Sequence, residues 1–185
     1  MAEGRMRGAL ADRLASTPSP PSILPRVETP ESQNVELVGY SPKYQPHFER
    51  LNRLWLEGHG LLEPVDLEYL QHPEEHILAG GGEVFFAVRE TEVVGTCAAI
   101  PLSETTWELA KLSVDPSARG TGLGRRLCEA VLDYARRHGA TELVLTSHTS
   151  LGTALKLYET LGFSHEALPE DVRYETANVF MRLTL

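Results

Sequence analysis

The sequence predicts an α/β domain built on a mixed, mostly antiparallel sheet of about seven strands with about four helices, in the order βααβββαβαββ. Three observations predict it. Short apolar runs rich in β-formers follow one another from Glu83 to Val114, a glycine-rich turn then opens a run with helical apolar spacing, and the brief continuous segment Leu143-Val144-Leu145 follows that.

Taken in order, Val35 to Val38 reads as a first strand, and Pro46 to Glu57 as a helix with Phe48, Leu51, Leu54 and Trp55 on one stripe. A second helical piece runs from Asp66 to Gln71. Gly80-Gly81-Gly82 resembles a phosphate cradle, but it precedes a strand, Glu83 to Val88, whereas anion sites of that kind precede a helix; a tight turn is the reading. Val93 to Leu102 and Thr106 to Val114, separated by Ser103-Glu104-Thr105, read as an antiparallel hairpin. Leu123, Leu127, Val131 and Ala135, spaced by four, mark the next helix, which Gly139 caps. Thr141 to Thr146 reads as a strand buried on both faces and Thr153 to Leu161 as a helix closed by Gly162, while Phe163 to Leu168 and Asn178 to Leu185 complete the strands. Residues 1–34 hold a Ser/Pro-rich stretch and few bulky apolar side chains, so a disordered tail is expected there, with the folded domain over 35–185.

Composition limits the function classes. The 185 residues are 42% hydrophobic and 23% charged, as in a globular chain, and no apolar run reaches membrane-spanning length. A cytoplasmic protein with no membrane contact is expected. Cys97 and Cys128 sit in apolar runs without metal-ligand spacing, so both read as reduced core residues and no metal site is expected. The net charge of −9 falls wholly on the folded part, because Arg5, Arg7, Arg13 and Arg26 balance Glu3, Asp12, Glu28 and Glu31 in the tail. Such a field disfavours nucleic acid and favours a cationic partner.

The chemistry gathers at Arg119-Gly120-Thr121-Gly122-Leu123-Gly124. A strand ends there, the backbone turns, and successive N–H groups meet the positive end of a helix, with Arg125 and Arg126 at the rim, an arrangement that suits a pyrophosphate. By itself the turn reads equally well as a connector. The GxxxxGK[ST] pattern is absent and the glycines do not follow GxGxxG, which disfavours nucleotide hydrolases and dinucleotide-binding dehydrogenases.

At Arg119, Gly122 and Gly124 the turn matches the [QR]xxGx[GA] signature of the GNAT superfamily of N-acetyltransferases. Ala154 to Phe163, starting 35 residues after Arg119, resembles the family's second hallmark, AxxxYxxxGF. The resemblance runs from Val35 to Leu185. It implies the GNAT fold, and acetyl-CoA as acyl donor with no metal. It implies that Leu112, Ser113 and Val114 offer main-chain groups to the donor's arm and that Arg119, Gly120, Thr121, Gly122, Leu123, Gly124 and Arg125 hold its pyrophosphate. It implies that Tyr158 faces the departing sulfur, although Tyr158 also fits a core stripe with Ala154, Leu155 and Leu161. One departure stands out: Leu151 occupies the place of a cofactor-positioning asparagine, where Thr149, Ser150 or Thr153 could substitute. Trp55 and the loop Gly58 to Pro64 resemble those of bacterial stand-alone members with unassigned substrates.

Glu108 lies eleven residues before Arg119, a spacing similar to that of the histone-acetyltransferase branch's catalytic glutamate. Strand alternation puts it on a face with Ala110, Leu112 and Val114, semi-buried, where a carboxyl becomes a better base. A solvated edge, or a salt bridge to Lys111 or to a neighbouring strand, is the bland alternative, and water could relay the proton instead. His148 is a second candidate base, with His59, Glu57 and Glu63 behind it. Glu57, Glu63, Asp66, Glu68, Glu74 and Glu75 could form an acidic rim for a cationic amine, or simply a solvated face. The expected activity is transfer of acetyl from acetyl-CoA to a primary amine, of a small molecule, a lysine or an N-terminus, by direct attack in a ternary complex; the alternative is a catalytically silent acetyl-CoA-binding sensor module. The sequence leaves room for a homodimer.

Overall fold

A computed structural model of the chain describes residues 35–185. The tail expected over residues 1–34 lies outside the described residues. The elements are β1 (Val35–Val38), α1 (Gln45–His59), α2 (Pro64–Gln71), α3 (Pro73–His76), β2 (Glu83–Arg89), β3 (Glu92–Pro101), β4 (Thr106–Val114), α4 (Leu123–Arg137), β5 (Glu142–Ser147), α5 (Gly152–Thr160), β6 (Ser164–Glu166) and β7 (Val179–Thr184). They match the expected order with one addition, the single turn α3. One seven-stranded sheet, ordered β1-β2-β3-β4-β5-β7-β6, runs through the domain. Only β4 and β5 pair in parallel; every other neighbouring pair is antiparallel.

Alternation along the central strands divides the core in two. On β3, Val94, Cys97 and Ala99 pack with Leu127, Val131 and Ala135 of α4, while Val93, Ala98 and Ile100 pack with Phe48 and Leu51 of α1 and Leu70 of α2. The apolar stripe of α4 therefore lies against one face, and the N-terminal helices cover the other. β5 is buried on both faces, with Leu143 and Leu145 at most 1% exposed and Val144 at 4%. Its continuous apolar run has that cause. The triple glycine is a turn: Gly81 has φ +89°, and a Cβ at Gly82 would lie 2.5 Å from the Ala99 carbonyl oxygen. β6 is shorter than expected and exposed, and from Ala167 to Asn178 the chain runs without helix or strand.

The strand alternation breaks once where it matters. Thr96 of β3 faces Ser113 of β4, and Ala98 faces Ala110, so β4 carries an extra residue opposite Cys97. Lys111 takes up this bulge with φ +55°. Apart from Glu90 in the β2–β3 turn, it is the one non-glycine residue with positive φ among the described residues, a conformation that costs of order 1 kcal/mol or more and persists only when its surroundings impose it. The surroundings are visible. Thr96, fully buried, donates its hydroxyl to the Lys111 carbonyl at 3.0 Å and accepts at 3.0 Å from Asn52 of α1, whose amide also reaches the Phe48 carbonyl. The Cys97 thiol points at the Ala110 carbonyl at 3.7 Å.

Replacing Thr96 by Val keeps the shape and removes the hydroxyl, leaving the Asn52 amide and the Lys111 carbonyl short of a partner. We expect Thr96→Val to lose about 1–3 kcal/mol of stability in denaturant unfolding; an unchanged midpoint would show that the network does not hold the bulge.

Candidate active site

The parallel pairing of β4 and β5 lasts from Thr106 to Glu108, opposite Glu142 to Val144, and then stops. Beyond it the two strands part. From Leu109 to Val114 the edge of β4 that faces β5 has no strand partner, so its main-chain groups, apart from the Val114 carbonyl that Arg119 takes, are open to a ligand. In the opening lies a cavity of about 120 Å³, lined on the strand side by Glu108 to Leu112 and Thr146 to His148, and elsewhere by Trp55, Asp66, Tyr158 and Tyr174 among others.

Tyr158 and Glu108, far apart in sequence, both line this cavity. Tyr158 projects from α5, 7% exposed, with its ring against Phe163 at 6.0 Å. Burial pushes its pKa well above the ordinary tyrosine value, and the neighbouring Cys128 and Cys97 thiols add to the shift. The phenol therefore stays protonated. Its hydroxyl has no hydrogen-bond partner among the described residues and is available to whatever enters. Glu108 is 5% exposed, and its Oε2 accepts from Arg173 at 2.9 Å; Oε1 has no protein partner among the described residues.

The bulge corrects the expected face of Glu108. Glu108 and Ala110 do share the side covered by α1 and α2, but Leu112 and Val114 pack with the α4 side. Lys111 and Ser113 take their places: Ser113 donates to the Leu51 carbonyl at 3.0 Å, and the Lys111 ammonium is bonded to Asp66 of α2 and, at 3.1 Å, to the Tyr174 hydroxyl. The salt bridge considered between Glu108 and Lys111 is not formed; each has a different partner. Burial alone would lower the pKa of Lys111, but Tyr174 and Asp66 raise it above the ordinary lysine value, so the side chain is a fixed cation.

The other candidate bases are placed differently. His148 lines the cavity, but its Nδ1 takes the Ser150 N–H at 3.1 Å and meets the Ser150 hydroxyl at 2.8 Å. That pattern assigns the neutral ring a proton on Nε2 and leaves no lone pair free. Glu57 is exposed and bonded to Arg53, and the Glu63 carboxylate accepts from the backbone of Glu175 and Thr176 and from the Thr176 hydroxyl. His59 packs against Trp55 in a tilted arrangement, ring centroids 4.8 Å apart, and lines a separate recess beside Val114 and Arg119. At Leu151, which lines the cavity, no side chain caps α5; Thr149 is bonded instead to Asn178, the residue before β7.

The glycine turn sits at the end of β4. Gly120 and Gly122 have φ +76° and +80°, and a Cβ on either would meet nothing within 4 Å, so open space lies where their side chains would stand. Among the described residues no acceptor serves the backbone N–H groups from Gly120 to Arg125; the next, that of Arg126, reaches the Gly122 carbonyl. These open donors lie at the positive end of a fifteen-residue helix, an arrangement whose chemistry suits an anion. Arg119, an exposed residue, is tied to the Val114 carbonyl through Nε at 3.0 Å. The side chain of Arg125 turns away to Thr160 and Glu129, which leaves only its backbone N–H for the turn. Gly124 packs closely: a Cβ there would lie 3.4 Å from Leu157. Among the described residues, no group of three or more His, Cys, Asp or Glu is gathered as a metal site, and no helix is long and apolar enough to cross a membrane.

Sequence reasoning missed Arg173, Tyr174, Asn52 and Thr96. Arg173 and Tyr174 lie in an irregular polar stretch, and only the fold brings them onto β4. Asn52 was legible as a polar residue within an apolar helical stripe; its partner was not.

The fold is a mixed sheet with a cleft where two strands part, and comparison with known proteins names the class of domain. Residues 47–163 match the model of the acetyltransferase (GNAT) family. The chain belongs to that family. Camello of Xenopus laevis is 33% identical over 113 residues, covering 60% of this chain and 52% of that protein. N-acetylaspartate synthetase of Rattus norvegicus is 38% identical over 94 residues, covering 50% of this chain and 31% of that protein. The chain thus spans about half or less of the length of these curated relatives. A solved Salmonella typhimurium structure, yncA with its cofactor acetyl-CoA, superposes with a TM-score of 0.65 at 21% identity, over 82% of this chain and 94% of that one.

A branched side chain at Gly122 would strain a backbone with positive φ and fill the cradle. We expect Gly122→Val to weaken CoA binding at least tenfold by calorimetry; unchanged affinity would remove the turn from the site.

Proposed function

We propose that the chain is an acetyl-CoA-dependent N-acetyltransferase that passes acetyl directly to an amine in a ternary complex. The observation that carries it is the parting of β4 from β5, which puts Glu108 and Tyr158 on one cavity and leads along an open strand edge to the N–H cradle. Family membership and the acetyl-CoA named with yncA support the choice of donor.

The residues divide the chemistry as follows. The backbone N–H groups of Gly120 to Arg125, with Arg119, hold the pyrophosphate. Main-chain groups of Leu112, Ser113 and Val114 align the pantetheine arm along the unpaired edge, and an N–H near Val114 polarises the thioester carbonyl. Such a donor is worth roughly 3 kcal/mol of barrier in other enzymes. The acceptor amine is largely protonated at neutral pH, with an ordinary pKa of about 8–10 for α- and side-chain amines, and Glu108 takes its proton. The nitrogen lone pair then forms the new C–N bond as the C–S bond breaks, and the electron pair leaves on sulfur. Tyr158 donates a hydrogen bond to that sulfur. Full proton transfer from an unperturbed tyrosine to a thiolate is uphill by roughly 2 kcal/mol, and the raised pKa of Tyr158 makes it more so. Its role is therefore to stabilise the leaving thiolate, which takes its proton from the amine or solvent.

Two measurements test this reading. Tyr158→Phe should lower kcat for CoA thiol release at least tenfold while leaving CoA affinity within about twofold. Because the pKa of Tyr158 is raised, the phenol remains neutral as pH climbs, so kcat should show no falling limb from its ionisation below about pH 10. A falling limb at pH 8–9 that vanishes in Tyr158→Phe would contradict the role. Glu108→Gln should cost more turnover at pH 7 than at pH 9, where free amine is abundant, whereas an equal loss at both would make Glu108 structural.

A further inference from the structure

Of the two readings the sequence left open for its N-terminal carboxylates, an acidic rim or a solvated face, the acceptor end of the cavity does not show the rim. Glu57 is bonded to Arg53, Glu63 to the 175–176 backbone, Glu74 to the Tyr40 hydroxyl and Asp66 to Lys111, while Glu68 and Glu75 are exposed and do not line the cavity. What the cavity does present is a buried cation. The Lys111 side chain is 6% exposed, and its ammonium has two acceptors, Asp66 and the Tyr174 hydroxyl, for three N–H donors. The third donor has no protein acceptor among the described residues. A buried ammonium left one bond short is costly, and here it is held so by a strained backbone.

Three residues away on the same strand, Glu108 has the complementary vacancy, an oxygen without a partner. Consecutive residues fasten both groups: Arg173 grips Glu108 and Tyr174 grips Lys111, and their Cα atoms are about 3.8 Å apart across one peptide. The cavity thus offers one open acceptor and one open donor, anion beside cation, in a fixed relation. A plain amine or polyamine would answer only the first and would bring positive charge next to Lys111 and Arg173. A molecule with an amine and a carboxylate answers both.

We propose that the acceptor is an amino-carboxylate, an α-amino acid that places its amine at Glu108 and its carboxylate on the Lys111 ammonium. This deepens the acetyl-transfer reading above and rests on it. N-acetylaspartate synthetase, similar over half of this chain, is named for an acetylated amino acid. Lys111 is then a binding residue for substrate, and Arg173 and Tyr174 position the pair.

The test compares CoA thiol release from acetyl-CoA by the full chain with glycine, L-alanine, L-aspartate and L-glutamate, with the matching α-amides, and with propylamine and spermidine. At least one amino acid should exceed its amide by tenfold or more in kcat/KM. Replacing Lys111 by Met alone could unfold the chain by orphaning Asp66, so it is paired with Asp66→Asn, which keeps an oxygen for the Glu63 N–H bonded to it. K111M/D66N should collapse the acid-to-amide ratio to within about twofold, chiefly by raising KM for the acid. Amides or plain amines used as well as the acids would overturn the proposal and leave acetyl transfer standing, as would a double variant that slows both classes equally with the ratio intact. A chain that turns over no acceptor in the panel would overturn this proposal, and one that also leaves a lysine-bearing peptide with a free N-terminus unacetylated would overturn acetyl transfer with it.

Discussion

Everything at the site depends on how β4 leaves β5. The two strands pair over three residues and then part, because an extra residue, Lys111, bends β4 away at the point where regular pairing would have continued. A bulge is unstable unless its unpaired groups are served, and here Thr96, Asn52 and Cys97 serve them from the neighbouring strand and helix. The opening is thus a consequence of sheet geometry. It exposes a strand edge inside the protein, where main-chain donors are shielded from bulk water and a hydrogen bond counts for more.

The same bulge sorts the charges. Shifting the alternation by one residue turns Lys111 and Ser113 toward the helical layer of α1 and α2, and Leu112 and Val114 toward α4. A cation and an anion therefore end on one wall of the cavity, each held by a different partner. Against the opposite wall the phenol of Tyr158 lies among apolar groups and thiols, where burial keeps it neutral. Two polar groups of the cavity are thereby fixed in charge, a protonated lysine and a neutral phenol, and the Glu108 carboxylate beside them is held in place by Arg173. Little reorganisation is left for the moment of reaction.

Much of this was legible in the sequence. The order of elements along the chain followed from apolar periodicity and turn residues, and β5 was readable as doubly buried because Leu143-Val144-Leu145 has no polar break. The glycine turn and Tyr158 were visible because their spacing is a local property of strand, turn and helix. Less legible was whatever depends on register. A one-residue bulge leaves no mark in the pattern of Thr106 to Val114, so Leu112 and Val114 were put on the face that Lys111 and Ser113 occupy. Arg173 and Tyr174 could not be read as site residues, since their meaning comes from contacts to residues more than sixty positions away. The choice between an acidic rim and a solvated face stayed open for a related reason: a count of carboxylates says nothing of which are already bonded.

The most direct test of the parted strands is an amide-resolved NMR titration of the chain with CoA. The largest shifts should fall on two separate stretches, Leu112 to Val114 on the open edge of β4 and Gly120 to Arg125 at the head of α4, with the far ends of β1 and β6 unmoved. Shifts that spare both stretches and gather elsewhere on the surface would contradict the opening between β4 and β5 as the binding site.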